Sequence, residues 1–338
     1  MAGGMFELRR DEITGWWVAI VVDRTYDRSR FARPAEVIHQ AGVCRNCGDP
    51  AGGGVRRWIV KPNAFSVAGT EREAREAPTI GSGRQPGLGL VADLGSWGTI
   101  LAPPEEHRPF AHAPSGVVGE MLRVARDTLA ESRDAGATDY FQVVGNHGRQ
   151  AGAFTNHLCF DTYDLPQIPH RIGEELGGAA RYLIREGSCP FCRLVRDEVT
   201  TRDRLVFEDA ASVAFAPFAS RSAFEIWVVP RHHEADFGRA TDAQLTSAAE
   251  TLQKVLRLLD ALDGPAYNLV LHTAPLRERV DETYHWHWEI HPRLREIGGL
   301  ELGTGLPVNP ISPEAAVEEL LTAAGIRPAT PDWDGPRR

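Results

Sequence analysis

The sequence of 338 residues is short of positive charge. Lysine and arginine together number 37 against 46 aspartates and glutamates, so the formal net charge is −9. A protein that binds nucleic acid or an anionic membrane surface generally carries a basic face, and this balance argues against both kinds of partner. It leaves room for a small phosphorylated ligand that is held by a few local donors.

Long hydrophobic runs are also missing. No apolar stretch approaches the ~20 residues of a membrane-spanning helix, and residues 1–15 lack the hydrophobic core of a secretory signal. We therefore expect a cytoplasmic protein with no membrane partner. The phosphate-binding pattern G-x-x-x-x-G-K-S/T and the nucleophile pattern G-x-S-x-G are absent too, which argues against P-loop and serine-hydrolase chemistry.

Cysteine is scarce, and its placement is informative. The chain has five cysteines, four of which form two C-x-x-C pairs, Cys44 with Cys47 and Cys189 with Cys192. An odd number of cysteines in a reducing compartment argues against a disulfide framework and favours metal binding or chemistry. One pair lies in each half of the chain, which is typical of a duplicated unit.

The two halves repeat the same order of features. Each C-x-x-C pair is followed by a Pro-x-x-His, a helical pattern, an apolar strand and an alternating pentad. From the histidine onward, these features lie at His107, 119–133, 140–144 and 157–161 in the first half, and at His233, 242–263, 267–271 and 285–289 in the second. The interval from the first histidine to the pentad is 50 residues in one half and 52 in the other, so we interpret the repeat as real.

The repeated pattern predicts one structural, tetrahedral zinc site in each half. Two thiolates from a tight C-x-x-C turn and two imidazoles from strands supply four sulfur and nitrogen ligands. The two thiolates also cancel the charge of the ion, so each site can be partly buried. The expected ligand sets are Cys44, Cys47, His107 and His157 in the first half, and Cys189, Cys192, His233 and His285 in the second.

Each pentad places three side chains on one face of its strand, because alternate residues of a strand point the same way. These residues are His157, Cys159 and Asp161 in the first half, and His285, His287 and Glu289 in the second. If the first residue binds metal, the middle one is held rigidly beside it. A nucleophile at that position can attack phosphorus and carry a nucleotidyl group, and the last residue can bond a phosphoryl oxygen.

The motifs around the pentads resemble those of the galactose-1-phosphate uridylyltransferases of the histidine-triad (HIT) superfamily, over nearly the whole chain. Residues 8–18 (LRRDEITGWWV) resemble the family's R-x-D-P-x-T-G-x-W-V signature, residues 61–65 (KPNAF) its N-D/K-F turn, and residues 146–152 its N-K-G-x-x-x-G stretch. Residues 284–289 (YHWHWE) and 299–305 (GLELGTG) are similar to its Y-H-W-H-I-E and G-F-E-x-G-T/S-G motifs.

The resemblance implies an α+β fold of two tandem HIT-like domains, each with a central antiparallel sheet, in an internal pseudo-dimer. We place the domains at 1–178 and 179–327, with a flexible tail at 328–338. The family's reaction is nucleotidyl transfer from a nucleotide sugar to a sugar 1-phosphate through a covalent enzyme intermediate. Its members often form homodimers.

The resemblance also implies ligand positions. Nucleotide and phosphate would contact Asn63, Asn146, Gly148 and Gly152, and the sugar phosphate would lie near Glu301, Gly303 and Gly305. Some members hold a second metal on one glutamate and three histidines, which correspond here to Glu175, His272, His285 and His287. That set competes with the cysteine set for His285, and we favour the cysteine set because an intact C-x-x-C pair has no other obvious purpose.

The first pentad departs from the family pattern H-P-H-x-Q, whose middle histidine is the nucleophile. Here Cys159 and Asp161 replace that histidine and the glutamine, and a carboxylate both repels phosphoryl oxygens and raises the pKa of a nearby thiol. Three interpretations stay open. Cys159 is the nucleophile; or the second half performs a transferase, hydrolase or phosphorylase reaction with His287 and Glu289; or the chain binds its ligand without catalysis.

Overall fold

The computed structural model describes residues 6–21, 34–36, 54–61, 96–153 and 155–326. Cys44, Cys47, Asn63 and the tail at 328–338 lie outside these ranges. The strands of the described part are β1 (Phe6–Arg10), β2 (Trp17–Val21), β3 (Arg56–Lys61), β4 (Ser96–Leu101), β5 (Tyr140–His147), β6 (Cys159–Leu165), β7 (Leu205–Glu208), β8 (Ser212–Phe215), β9 (Ile226–Pro230), β10 (Tyr267–His272), β11 (His287–Pro292) and β12 (Val308–Asn309).

The α-helices of the described part are α1 (Ser115–Ala135), α2 (His170–Glu186), α3 (Pro190–Thr201), α4 (Asp242–Leu258), α5 (Gly299–Thr304) and α6 (Pro313–Ala323). The two helical patterns of the repeat correspond to α1 and α4. Helix α4 begins at a capping box in which Thr241 and Gln244 bond each other's backbone, and α1 ends at Gly136 in the left-handed conformation. Within the described residues, no helix combines the length and the apolar character needed to cross a membrane.

Both halves contribute to one nine-stranded antiparallel sheet with the order β3-β4-β6-β5-β10-β11-β9-β8-β7. The first half supplies the four strands up to β5, and the second half supplies the five from β10 onward. A smaller sheet, β1-β2-β12, joins the N-terminal strands to a strand near the end of the described chain. This mixture of helices and a large antiparallel sheet confirms the predicted α+β class.

The register of the large sheet relates the two pentads by an internal twofold. At the seam between the halves, Val144 of β5 pairs with Val270 of β10. Asp161 lies opposite Val144 on β6, and Glu289 lies opposite Val270 on β11. Asp161 and Glu289 therefore occupy equivalent positions, and so do Cys159 and His287. The domain boundary at 178 falls inside α2 and stays a prediction.

One face of the sheet, the core face, packs against α1 and α4. Phe160 and Trp288 stack there with their ring centroids 5.6 Å apart, and both are fully buried. The opposite, outer face carries the residues that alternate with them, Cys159, Asp161, His287 and Glu289. Helices α2 and α3 pack against the outer face of the second half through a cluster that includes Leu176, Phe191, Trp227 and Tyr284. Cys159 lies outside that cluster.

Candidate active site and metal centres

Cys159 and Asp161 lie at the start of β6, and Asp161 is held by three donors. Its Oδ1 accepts from Trp97 Nε1 and Thr99 Oγ1, each at 3.3 Å, and its Oδ2 accepts from Asn146 Nδ2 at 3.4 Å. Burial nevertheless raises the pKa of Asp161 above its usual value. Cys159, half-buried, lines a small cavity of about 30 Å³ together with Asn146.

The glycine-rich stretch beside Asn146 folds into a tight turn. Arg149–Ala151 form one 3-10 turn, flanked by Gly148 at φ +80° and Gly152 at φ +82°. A Cβ atom at Gly148 would also lie 2.7 Å from the Cβ atom of Ala266, so both the backbone angle and the close approach require glycine there. Asn146, at the end of β5, is thus followed directly by the turn that contains Gly148 and Gly152. These are the described residues that the resemblance assigned to nucleotide and phosphate.

The two histidines of the first metal set are neighbours. The rings of His107 and His157 are nearly perpendicular, with centroids 5.0 Å apart. His157 is buried, and its Nε2 bonds the backbone oxygen of Ala102 at 3.0 Å, so Nδ1 would be its ligand atom. The other two predicted ligands, Cys44 and Cys47, lie outside the described residues, and this set stays a prediction.

The four residues of the second metal set converge on one point. Cys189, Cys192, His233 and His285 each offer a ligand atom, and these atoms all lie within 4.8 Å of one another. Cys192 Sγ is 3.2 Å from His233 Nδ1 and 3.7 Å from His285 Nδ1. His233 Nε2 donates to the backbone oxygen of Asp281 at 2.5 Å, which fixes its ring with Nδ1 toward the sulfur. Two sulfurs and two imidazole nitrogens are the donor set of a structural zinc site.

The pKa values of the two thiols of this set are shifted in opposite directions. The pKa of Cys192 is lowered because Cys189 donates a hydrogen bond to its sulfur, with further help from His285 and His233. The pKa of Cys189 is raised because it keeps that proton and is largely buried. Since the thiolate is the form that binds metal, Cys192 is prepared as a ligand.

His287 is enclosed by aromatic side chains. Its ring stacks on Trp227 with centroids 4.7 Å apart and lies 5.2 Å from Phe191 and 4.9 Å from His272. Its Nδ1 donates to the backbone oxygen of His285 at 3.0 Å. The side chain has no exposed surface, and burial lowers its pKa to about 4. The neutral imidazole of His287 therefore lies beneath α3, away from solvent. Cys159, which occupies the equivalent position in the first half, is half-buried.

Glu289 is fixed by three cationic or hydrogen-bonding side chains. Arg171 Nη2 lies 2.7 Å, Arg221 Nη2 2.8 Å and His291 Nε2 2.8 Å from its carboxylate. Burial alone would raise the pKa of Glu289, but the charges of Arg171 and His272 hold it well below the usual value. Its hydrogen-bonding capacity is used within the protein, an arrangement that favours a structural role.

A second group of possible ligands lies beside His287. Glu175, His272 and His287 also offer atoms within 4.8 Å of one another. His272 Nδ1 bonds Glu175 Oε2 at 3.0 Å, and Tyr284 donates to the same oxygen at 2.7 Å. Although burial acts to lower the pKa of His272, the charge of Glu175 raises it. His285 is not part of this group, since it lies with the two cysteines.

Replacing Glu289 with glutamine is expected to destabilise the protein by roughly 1.5–3 kcal/mol, because Arg171 and Arg221 each lose a hydrogen bond to an ionised carboxylate. Because the pKa of Glu289 is lowered in the folded chain, its stabilisation is present above about pH 4.3 and is lost as pH falls through the folded value. Urea unfolding between pH 3 and 7 measures both effects. Glu296→Gln, at an exposed neighbouring position, is the control. A fully stable Glu289→Gln variant would contradict this interpretation.

The residues implied for the sugar phosphate lie elsewhere. Glu301 Oε2 accepts from Arg295 Nη2 and from the backbone nitrogen of residue 298, each at 2.6 Å. Glu301 and Gly305 line a cavity of about 530 Å³ whose lining does not include Cys159. A Cβ atom at Gly303 would contact no described atom within 4 Å. In the described part of a single chain these residues are therefore not brought to Cys159.

Several residues of the two pentad sites were not singled out from the sequence. Arg171 precedes Glu175 by four residues on α2 and contacts it at 3.3 Å, and this i,i+4 spacing is a local signal that sequence reasoning could have used. Arg221 and Trp97 had no such signal. They are 68 and 64 residues from the carboxylates that they bond, so only the folded chain reveals their roles.

Comparison with known proteins finds homologues with enzymatic names, while no family model matches the chain. The chain is 30% identical over 200 residues to an ADP-glucose phosphorylase of Arabidopsis thaliana, covering 58% of this chain and 56% of that protein. It is 26% identical over 190 residues to a galactose-1-phosphate uridylyltransferase of Thermotoga maritima, covering 54% and 59%. The matches span a little more than half of the length of these two relatives.

The fold is shared more completely than the sequence. The crystal structure of the Arabidopsis ADP-glucose phosphorylase, with bound ADP-glucose, superposes with a TM-score of 0.74 at 24% identity, covering 93% of this chain and 98% of that one. A segment of 110 residues is also 29% identical to an uncharacterized HIT-like protein of Methanocaldococcus jannaschii, covering 32% of this chain and 82% of that protein. These findings confirm the predicted resemblance and the HIT-like fold.

Proposed function

We propose that this chain is a nucleotidyltransferase that acts on nucleotide sugars and sugar 1-phosphates, with Cys159 as the nucleophile. The observation that carries the proposal is the contrast between the two equivalent pentad positions. Cys159 is half-buried and lines a cavity with Asn146, whereas His287 is fully buried beneath α3. The names of the relatives, a phosphorylase of ADP-glucose and a uridylyltransferase, support the same class of substrate.

In the proposed reaction the Cys159 thiolate attacks the phosphorus atom of the nucleotidyl group. A sulfur–phosphorus bond forms as the bond from phosphorus to the bridging oxygen breaks, and the sugar 1-phosphate leaves with that oxygen. A phosphate oxygen of the acceptor then attacks the same phosphorus, and the sulfur is released as a thiolate. The Nδ2 group of Asn146, which has a second N–H beside the one that it donates to Asp161, is suited to hold a non-bridging oxygen.

Zinc is the proposed metal of both ligand sets, with a structural role. Cys189, Cys192, His233 and His285 have the donor chemistry and the mutual approach for it. By the repeat, Cys44, Cys47, His107 and His157 would hold a second ion. Each ion would fix the start of its pentad through His157 or His285, which keeps the following side chains in place.

A catalytically silent protein that binds a nucleotide sugar or a sugar phosphate is the second candidate. The replacement of histidine and glutamine by Cys159 and Asp161 favours it. A hydrolase or phosphorylase reaction through His287 is the third, and it would require α2 and α3 to move away from the sheet. A cytoplasmic location and a homodimer also remain proposals. The location agrees with the absence of disulfides among the described cysteines.

Intact-mass analysis of the zinc-loaded protein with a panel of nucleotide sugars, including ADP-glucose and a uridine diphosphate sugar, tests the three candidates. We expect one nucleotidyl adduct per chain, located at Cys159 by peptide mapping and released by a sugar 1-phosphate. An adduct at His287 would support the third candidate. A ligand that raises Tm without adduct or turnover would support the silent protein and overturn the transferase.

A further inference from the structure

Two asparagines meet at the seam between the halves, where Asn146 of β5 and Asn268 of β10 are direct partners. Asn268 donates through Nδ2 to Asn146 Oδ1 at 2.6 Å and to the backbone oxygen of Ala151 at 2.8 Å. Its Oδ1 accepts from Arg293 Nε at 2.5 Å. Asn268 is 8% exposed. A buried residue of the second half therefore contacts both Asn146 and the glycine-rich turn of the first half.

These contacts determine which way both amides point. The guanidinium of Arg293 can only donate and the backbone oxygen of Ala151 can only accept, so Asn268 has one orientation that satisfies both. With its Nδ2 facing Asn146, the oxygen of Asn146 must face the seam. The Nδ2 group of Asn146 then points the other way, toward Asp161 at 3.4 Å. The Nδ2 group of Asn146, which the proposed reaction uses, is thus directed by Asn268.

This network of side-chain hydrogen bonds is present at one end of the seam between β5 and β10. By the internal twofold, which pairs Val144 with Val270, the counterpart of Asn268 is Gln142. Gln142 Nε2 donates to the backbone oxygens of Leu271 at 2.8 Å and Val143 at 3.0 Å. Among the described residues it therefore directs backbone groups rather than an active-site side chain. The side-chain hydrogen bonds that join Arg293, Asn268 and Asn146 lie at the end of the seam near Cys159.

We infer that Asn268, held by Arg293, is a positioning residue for the first-half site: it orients the Asn146 amide toward the phosphoryl group and holds the turn at Ala151. The inference rests on the proposed function, since it names the group that fixes one of its ligand donors. By this inference, Asn268 of the second half orients a side chain in the site of the first half. An amide is required at 268, because a carboxylate of the same shape accepts from Arg293 but has no hydrogen to donate.

Asn268→Asp is the decisive variant, with Gln142→Glu as the matched control at the symmetric position. In Asn268→Asp, the Asn146 amide is expected to turn over and donate to the new carboxylate, so that its oxygen faces the ligand. Nucleotide-sugar affinity should fall roughly 10- to 100-fold, the effect of losing one hydrogen bond to a charged group. Gln142→Glu should leave that affinity unchanged, whatever its effect on Tm.

A spectroscopic readout tests the orientation without reference to activity. The chain has six asparagines, so selective ¹⁵N-asparagine labelling gives few side-chain amide signals, and the pair of Asn146 is identified by its loss in Asn146→Asp. We expect Asn268→Asp to move this pair and Gln142→Glu to leave it in place. An unmoved pair, or a moved pair with unchanged affinity, would overturn the inference. If the unaltered protein binds no nucleotide sugar, the proposed function fails, and the amide signals still decide the orientation.

Discussion

Cys159→Ser is expected to reduce nucleotidyl transfer by at least about 10³-fold, in line with the loss of a covalent nucleophile in other enzymes. The hydroxyl is similar in size to the thiol, but its far higher pKa leaves almost no anion at neutral pH. Single-turnover transfer from a nucleotide sugar measures the rate. Because Cys159 is half-buried at the end of a strand, Tm should change little.

His287→Gln tests, in the same assay, whether transfer depends on the second half of the chain. Since His287 is enclosed by Trp227, Phe191 and His272, the substitution is expected to lower Tm while the rate per folded molecule is kept. Cys159→Ala that remains active, together with a silent and well-folded His287→Gln, would reverse the assignment of the two pentads.

Cys192→Ser is expected to remove one equivalent of zinc and to lower Tm by about 10 °C or more. Structural zinc contributes roughly 10–16 kcal/mol to folding in small zinc domains, and even a loss of about 4–5 kcal/mol shifts Tm by that amount in a larger domain. The site joins α3, through Cys192, to the start of β11, through His285, so its loss loosens the helices that cover the second half. Metal analysis and thermal unfolding of the purified protein measure the two effects.

Arg196→Ser, one turn further along α3 at an exposed position, is the control for the zinc variant and should change neither zinc content nor Tm appreciably. A purified protein with no bound zinc would contradict the site. So would a Cys192→Ser variant that retains all of its metal and its stability.

The sequence was sufficient where the structure depends on short intervals. The C-x-x-C spacing and the repeated order of features predicted that Cys189, Cys192, His233 and His285 would meet, and they lie together. Alternation along a strand placed Asp161 and Cys159 on one face of β6. The same reasoning predicted Cys44 and Cys47 as metal ligands, and the family resemblance implied that Asn63 contacts nucleotide or phosphate. These three residues lie outside the described ranges.

The sequence was not sufficient where contacts cross between distant segments. Both pentads have the same alternation, so nothing local indicated that one would be half-buried and the other enclosed. The hydrogen bonds of Asn268 join residues 117 and 122 positions apart, and no pattern in the sequence connects them. The group of residues 301–305 was assigned by resemblance, and the part of a single chain that the structure describes does not bring it to Cys159.

The sequence by itself therefore predicted the duplicated fold, the approach of Cys189, Cys192, His233 and His285 to one another and the equivalence of the two pentads, because each follows from strand alternation or from the reach of a short turn. Only the tertiary structure decided that Cys159 is half-buried and that its counterpart His287 is enclosed. Helices α2 and α3 pack against one half of the outer face and bury His287, and that choice depends on long-range packing of apolar side chains rather than on local spacing.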